Sequence, residues 1–249
     1  MKKIYSREEF KEHLNNSALE MKNDKDLQKD KLKLISKADK YNWIHQTSWL
    51  GEPILKLPQD MFAIQDIIFK NRPDYIIELG IAWGGQLLFY STLMETLGGV
   101  KIIGVDTYIP DDLKERIYSH KNLANRIELI SGSSIEDKTI NNIKEIIGDS
   151  KNVMVILDTD HSHDHVLKEL YIYEKFVGIG HYLICGNTII ELIPEQIHRK
   201  RPWGPGNNPM TALDVFLEKN KKFISDLIID DKLLLSCNYR GFLKKISDL

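Results

Sequence analysis

The chain has 249 residues, 42% of them hydrophobic and 28% charged, with a formal net charge of -2. That suffices for one sizeable globular domain and an extension, and the charge is too balanced for a nucleic-acid binder, which needs a strongly basic face. Two cysteines (Cys185, Cys237) give no disulfide framework, and neither a signal-peptide core nor an apolar run near the ~20 residues of a membrane span is visible, so a reduced, cytoplasmic setting is expected.

Residues 1 to 40 are rich in Lys, Asp and Glu, with Phe10, Leu14, Leu27 and Leu34 at loose helical spacing. This predicts helices laid on the main domain or on another subunit. From Tyr41 to Pro58 the texture becomes irregular and aromatic, as in a connector. The expected division is 1–48 as a helical extension with connector and 49–249 as the main domain.

Beyond the connector, strands and helices alternate. A helix over Asp60 to Lys70 stops before Arg72-Pro73. Strands follow at Tyr75 to Leu79, Val100 to Val105, Ile127 to Ile130, Val153 to Leu157 and Tyr182 to Cys185. Helical segments separate them at Leu87 to Leu97, Thr139 to Ile147 and Val166 to Val177. The alternation implies βαβ units and a mostly parallel, doubly wound α/β sheet. In the tail, a helix near Thr211 to Asn220 and an apolar run from Phe223 to Ile229 come first. Leu233 to Ser236 and Phe242 to Ile246 are then expected to pair as an antiparallel hairpin across Asn238-Tyr-Arg-Gly241.

Residues Ile76 to Gly85 read Ile-Ile-Glu-Leu-Gly-Ile-Ala-Trp-Gly-Gly, a strand, a glycine turn and the start of a helix. That is the layout of a nucleotide-cofactor loop. Gly80, Gly84 and Gly85 would let the backbone approach a ligand, or serve close helix–strand packing. Glu78 would repel a dinucleotide's pyrophosphate but suit the amino group and sulfonium of S-adenosylmethionine (SAM). Asp106, at the end of the next strand, could accept both ribose hydroxyls of an adenosyl cofactor; a helix N-cap or turn role is the plainer alternative.

Ligands of open α/β sheets sit beyond the carboxyl ends of the strands. The polar residues there are Glu78, Asp106, Ser133-Ser134, Asp158-Thr159-Asp160-His161 and Asn187. The run Asp158 to His165 is dense in metal-capable groups. A metallohydrolase cluster is one reading, but the spacing departs from His-x-His-x-Asp-His and leaves the glycine loop unexplained. A methyl-acceptor site with Asp158 or His161 as general base is another. Asp164 and His165 suit the first turn of a helix, where an acid favours the positive dipole end. Asp158, Asp160 and His161 are therefore taken as functional, and His163 to His165 as mostly structural.

Four segments together resemble the cephalosporin hydroxylase (CmcI-type) family: Trp49-Leu-Gly-Glu-Pro-Ile, Ile77 to Gly85, Leu157 to Val166, and Gly204-Pro-Gly. The likeness runs from about Trp43 to Ile246. Members resemble SAM-dependent O-methyltransferases of class I, Rossmann-like fold, rhamnosyl O-methyltransferases among them. The resemblance implies SAM against Glu78, Gly80, Gly84, Gly85, Asp106 and Asp158, with Ser133 or Ser134 near the adenine. It also implies Asp158 as a metal ligand. The family's other ligands form a Glu-Asp-Thr run after the next strand, and here that run reads Gly186-Asn187-Thr188. Mg²⁺ favours carboxylate oxygens. Asp158 with the amide of Asn187 thus implies weak or absent metal binding.

Methyl transfer is an in-line displacement that needs an aligned acceptor and removal of its proton. The expected acceptor is a sugar hydroxyl, on a nucleotide sugar or a cell-surface glycan precursor. His161 or Asp158 would be the base, with Asp160 orienting the imidazole. The segment Trp43 to Trp49 and the loop Ile190 to Pro209 would supply the acceptor pocket, Trp203 stacking on the sugar and Arg199 or Arg201 holding a phosphate. A homo-oligomer is expected. Two rivals are a degenerate methyltransferase fold serving as a binding or assembly partner, and an NAD-linked oxidoreductase.

Overall fold

Ser6 caps the first helix, α1 (Arg7–Asn23), in a reciprocal box with Glu9, and Asp24 caps the second, α2 (Lys25–Asp39). This computed structural model describes residues 5–249; Met1 to Ile4, part of the start read above for a signal peptide, lie outside the described residues. The connector contains a small antiparallel hairpin, β1 (Thr47–Trp49) with β2 (Glu52–Ile54). Then come α3 (Pro58–Asn71), β3 (Tyr75–Leu79), α4 (Gly85–Leu97) and β4 (Lys101–Asp106). Two helices that the strand pattern did not reveal follow, α5 (Asp111–Ser119) and α6 (Lys121–Ala124). The sheet continues with β5 (Ile127–Ser131), α7 (Asp137–Ile147), β6 (Val153–Leu157), α8 (His163–Tyr173) and β7 (Tyr182–Cys185). The tail holds α9 (Pro209–Lys219), β8 (Phe223–Ser225), α10 (Leu227–Leu233) and β9 (Phe242–Lys245).

The seven named strands from β3 on form one sheet in the order β5-β4-β3-β6-β7-β9-β8, in which β9 alone runs antiparallel to the other strands. Successive residues of a strand face opposite sides, and the two cores divide accordingly. Ile76, Ile102, Met154 and Ile184 join α3, α4 and α5 on one face. Ile77, Ile103, Val155 and Leu183 join α7, α8 and α9 on the other. Both faces being covered explains why β6 is buried along its whole length. β3 is central, and the order of connections reverses between it and β6, which opens a crevice at their carboxyl ends.

The tail corrects one expectation. The antiparallel partners are β8 and β9, and Leu233 to Ser236 is not a strand. Buried carboxylates take the backbone donors that a hairpin ladder would have used. Asp230 accepts from the Arg240 N–H at 2.8 Å, and Asp60 accepts from the Cys237 N–H at 2.9 Å and the Ser236 hydroxyl at 2.6 Å. Among the described residues, no helix is long and apolar enough to cross a membrane.

Candidate active site

A cavity of about 560 Å³ lies at the carboxyl ends of the parallel strands. It gathers most of the expected residues: Gly80 from the end of β3, Asp106 from β4, Ser133 and Ser134 beyond β5, Asp158, Asp160 and His161 beyond β6, and Asn187 beyond β7. Arg199, Arg201 and Trp203 of the long loop close one side, and Ile35 and Asp39 of α2 also line it. Four expected residues are absent from its walls: Trp49, Glu78, Gly84 and Gly85.

Each absence has a local cause. Glu78 shares the pleat side of Ile76, so its side chain points under α4. There it is wholly buried, bonded by the Gln86 amide and facing the Tyr90 hydroxyl at 3.4 Å. Burial pushes its carboxyl well above the usual carboxylate range, with Lys56 opposing. Gly84 packs against Ile117 of α5, and Gly85 against the Glu52 and Pro53 carbonyls. Trp49 lies on α4, edge-on to Phe89 at 5.1 Å, with its indole N–H on Thr92 at 3.1 Å.

The end of the cavity beside the glycine turn is made largely of backbone. Gly80 has φ +85°, and a Cβ there would collide with the Asp158 carbonyl oxygen, so glycine is required on both counts. Ala82 also adopts a left-handed conformation, φ 46°. Asp106 braces that turn: one carboxylate oxygen accepts the N–H groups of Ile81 at 3.1 Å and Ala82 at 3.4 Å. The same side chain remains on the cavity wall, so the turn role and the ligand role are compatible. On the far side Glu169, wholly buried, accepts from Ser134 at 2.5 Å and Thr159 at 2.7 Å and faces His165 at 3.2 Å. Ser134 thus has its hydroxyl committed. His163 ties to Thr211 at 2.8 Å, a packing role between α8 and α9.

The other end is made of side chains. Asp158 receives Lys56 Nζ on one oxygen at 2.9 Å and Asn187 Nδ2 on the other at 2.6 Å. Asn187, in a left-handed conformation (φ 56°) that asparagine tolerates, also places Nδ2 3.1 Å from His161 Nε2. His161 meets Trp203 edge to face at 5.0 Å. Burial lowers the His161 pKa below its ordinary value against the pull of Asp158, which favours the neutral imidazole. Asp160 does not orient that ring: its carboxylate accepts the Ser162 N–H at 2.7 Å in a turn. The donors here do not suit a divalent cation. One carboxylate is already held by an ammonium and an amide, and among the described residues no group of three His, Cys, Asp or Glu converges on a point.

The basic loop is fixed from behind. Asp39, nearly buried at the end of α2, takes Arg199 at 2.5 Å, His198 at 2.7 Å and Gln196 at 2.7 Å. Arg199 is therefore partly consumed by Asp39, while Arg201 lies over the Trp203 ring at 5.4 Å. Lys40, His45, His198, Arg199 and Arg201 line an adjoining hollow that shares His45, Leu55 and both arginines with the main cavity. Lys56, Asp39 and Glu169 escaped sequence reasoning. For Lys56 a signal existed: a single charge inside Ile54-Leu55-Lys56-Leu57.

The profile of the family described as Rhamnosyl O-methyltransferase/CmcI matches residues 41–246. The chain belongs to that family. The family is one of SAM-dependent O-methyltransferases, which decides against the oxidoreductase and metallohydrolase readings. Rhamnosyl O-methyltransferase of Mycobacterium leprae (strain TN) is 32% identical over 149 residues, covering 57% of this chain and 60% of that protein. Rhamnosyl O-methyltransferase of Mycobacterium bovis (strain BCG / Pasteur 1173P2) is 26% identical over 180 residues, 69% of this chain and 66% of that one. The chain thus spans about three fifths to two thirds of the length of these relatives. The solved structure "cmcI-D160 Mg-SAM" superposes with a TM-score of 0.55 at 20% identity, over 81% of this chain and 77% of that one, a likeness of fold.

Proposed function

We propose that this protein transfers the methyl group of SAM to a sugar hydroxyl, on a nucleotide sugar or a cell-surface glycan precursor. The observation that carries this reading is the single cavity in which a braced glycine turn with Asp106 faces Asp158, Asn187 and His161. The relatives named for rhamnosyl O-methyl transfer support a sugar as acceptor. In this reading the ribose lies on Asp106, the adenine near Ser133, and the sulfonium faces the end of β6. An acceptor hydroxyl entering between Asn187 and His161 passes its proton to His161 Nε2, the nitrogen that now faces the Asn187 amide. Asn187 and Asp158 hold that geometry, and Trp203 presents a ring edge and face to the sugar. The basic hollow beside Arg201 suits a phosphate on the acceptor. The division into a helical extension (1–48) and a main domain (49–249) belongs to the same proposal, as does assembly into a homo-oligomer.

Calorimetry with S-adenosylhomocysteine (SAH), followed by a radiolabelled methyl-transfer assay on nucleotide sugars, tests the proposal. Binding and transfer are expected; absence of SAH binding overturns it. A second reading is favoured by the closed Lys56–Asp158–Asn187 network: a binding or assembly protein that keeps the cofactor pocket and has lost transfer. SAH binding without transfer to any sugar would select that reading.

A further inference from the structure

Lys56 lies between β2 and α3, with its side chain only 2% exposed and its ammonium on Asp158. Burying a lysine among apolar residues is costly unless a partner and hydrogen bonds offset it. Its surroundings match a cation seat. Asp158 Oδ2 is 2.9 Å away, and the second oxygen of Asp158 is satisfied by Asn187. A Cβ placed on Gly186 would meet the Leu157 carbonyl oxygen at 2.6 Å and stand 3.2 Å from Asp158 Oδ1 and 3.6 Å from Lys56 Nζ, so position 186 borders the same spot but is closed to a side chain unless the backbone shifts. The chain therefore shows three coordinated features: a bare position 186, an amide at 187, and a buried ammonium on the one remaining carboxylate. A divalent ion needs several oxygen ligands and much negative charge, whereas an ammonium needs one carboxylate.

We propose that Lys56 is this site's resident cation, a positioning residue that fills the seat of a divalent metal ion and makes the acceptor end metal-independent. It acts through Asp158, which it fixes in place and neutralises beside His161. The effect on transfer rests on the methyltransferase reading above; the occupation of the seat does not, and it can be measured without turnover.

The test is Mn²⁺ binding followed by the free-ion electron paramagnetic resonance signal on the purified full chain. The wild type and Lys56→Arg should leave the signal unchanged at Mn²⁺ of about 0.1 mM, where weak oxygen-ligand sites begin to fill. The Lys56→Ala/Asn187→Asp variant, which removes the ammonium and adds a carboxylate, should bind one ion per chain. If that variant folds poorly, Mn²⁺ should raise its melting temperature. Stoichiometric Mn²⁺ binding by the wild type overturns the proposal. So does a double variant that shows neither binding nor stabilisation.

Discussion

At the proposed cofactor end, Asp106 is gripped by backbone N–H groups of the very loop it faces, whereas at the proposed acceptor end Asp158 is gripped by side chains from two other segments, Lys56 and Asn187. A backbone-built site depends on a turn conformation and a few glycines, and it tolerates sequence change nearby. A side-chain-built site can be rewritten by one or two substitutions. That difference teaches why the glycine turn stays close to a general pattern while the run Gly186-Asn187 departs from the ligand set that the resemblance implies.

The largest expected effect breaks the acceptor end. Asp158→Ala leaves the Lys56 ammonium buried without a partner and should cost about 3–5 kcal/mol in urea unfolding. Combining it with Lys56→Ala should recover much of the loss. A cost below about 1 kcal/mol, the range of an exposed pair, would show that the contrast between the two ends is wrong.

His161→Ala should next lower turnover about 10²- to 10⁴-fold while leaving the SAH dissociation constant unchanged. Unchanged turnover would remove His161 as the base. A parallel loss of SAH affinity would mean that the two ends are not separable.

Asp60 supplies a pH test of the same region. Burial raises its carboxyl from 3.8 to about 6, so the folded protein holds the proton more tightly than the unfolded chain. This contribution is complete below pH 3.8 and disappears as pH rises toward about 6, a swing of about 3 kcal/mol. Asp60→Asn, neutral throughout, should flatten the fall in stability across that window. A slope identical to that of the wild type would count against it.

The smallest effect belongs to the cofactor end. Asp106→Asn keeps one acceptor for the turn but removes the charge, and should weaken SAH binding about tenfold, the worth of one charged hydrogen bond. Turnover at saturating SAM should hold. Intact SAH affinity would reduce Asp106 to a brace for the loop.

The sheet was legible because its signals are local: apolar strand runs, a glycine turn, and helices of the right period between them. α5 was missed because its buried face rests on only Leu113 and Ile117 within a strongly charged segment. The tail misled because buried Asp60 and Asp230 satisfy backbone donors that sequence alone would assign to a ladder. Strand-end positions brought Asp106, Asp158, His161 and Asn187 to one cavity wall, since βαβ topology fixes where strands end. Glu78 lies off the cavity wall: its proximity to Gly80 in sequence conceals the alternation that turns it under α4. Lys56, buried behind the cavity wall, and Asp39, on it, stand 102 and 160 positions away from Asp158 and Arg199, and no local pattern records such pairings.

The clasp of Asp39 on Arg199, His198 and Gln196 has a consequence for how such proteins diverge. The family profile begins at residue 41, yet Ile35 and Asp39 form part of the wall and hold the loop that carries Arg201 and Trp203. In the proposed reading, acceptor choice would thereby be partly entrusted to helices outside the shared core. On that reading, exchanging the first segment would retune what the pocket admits while the glycine turn is inherited unchanged.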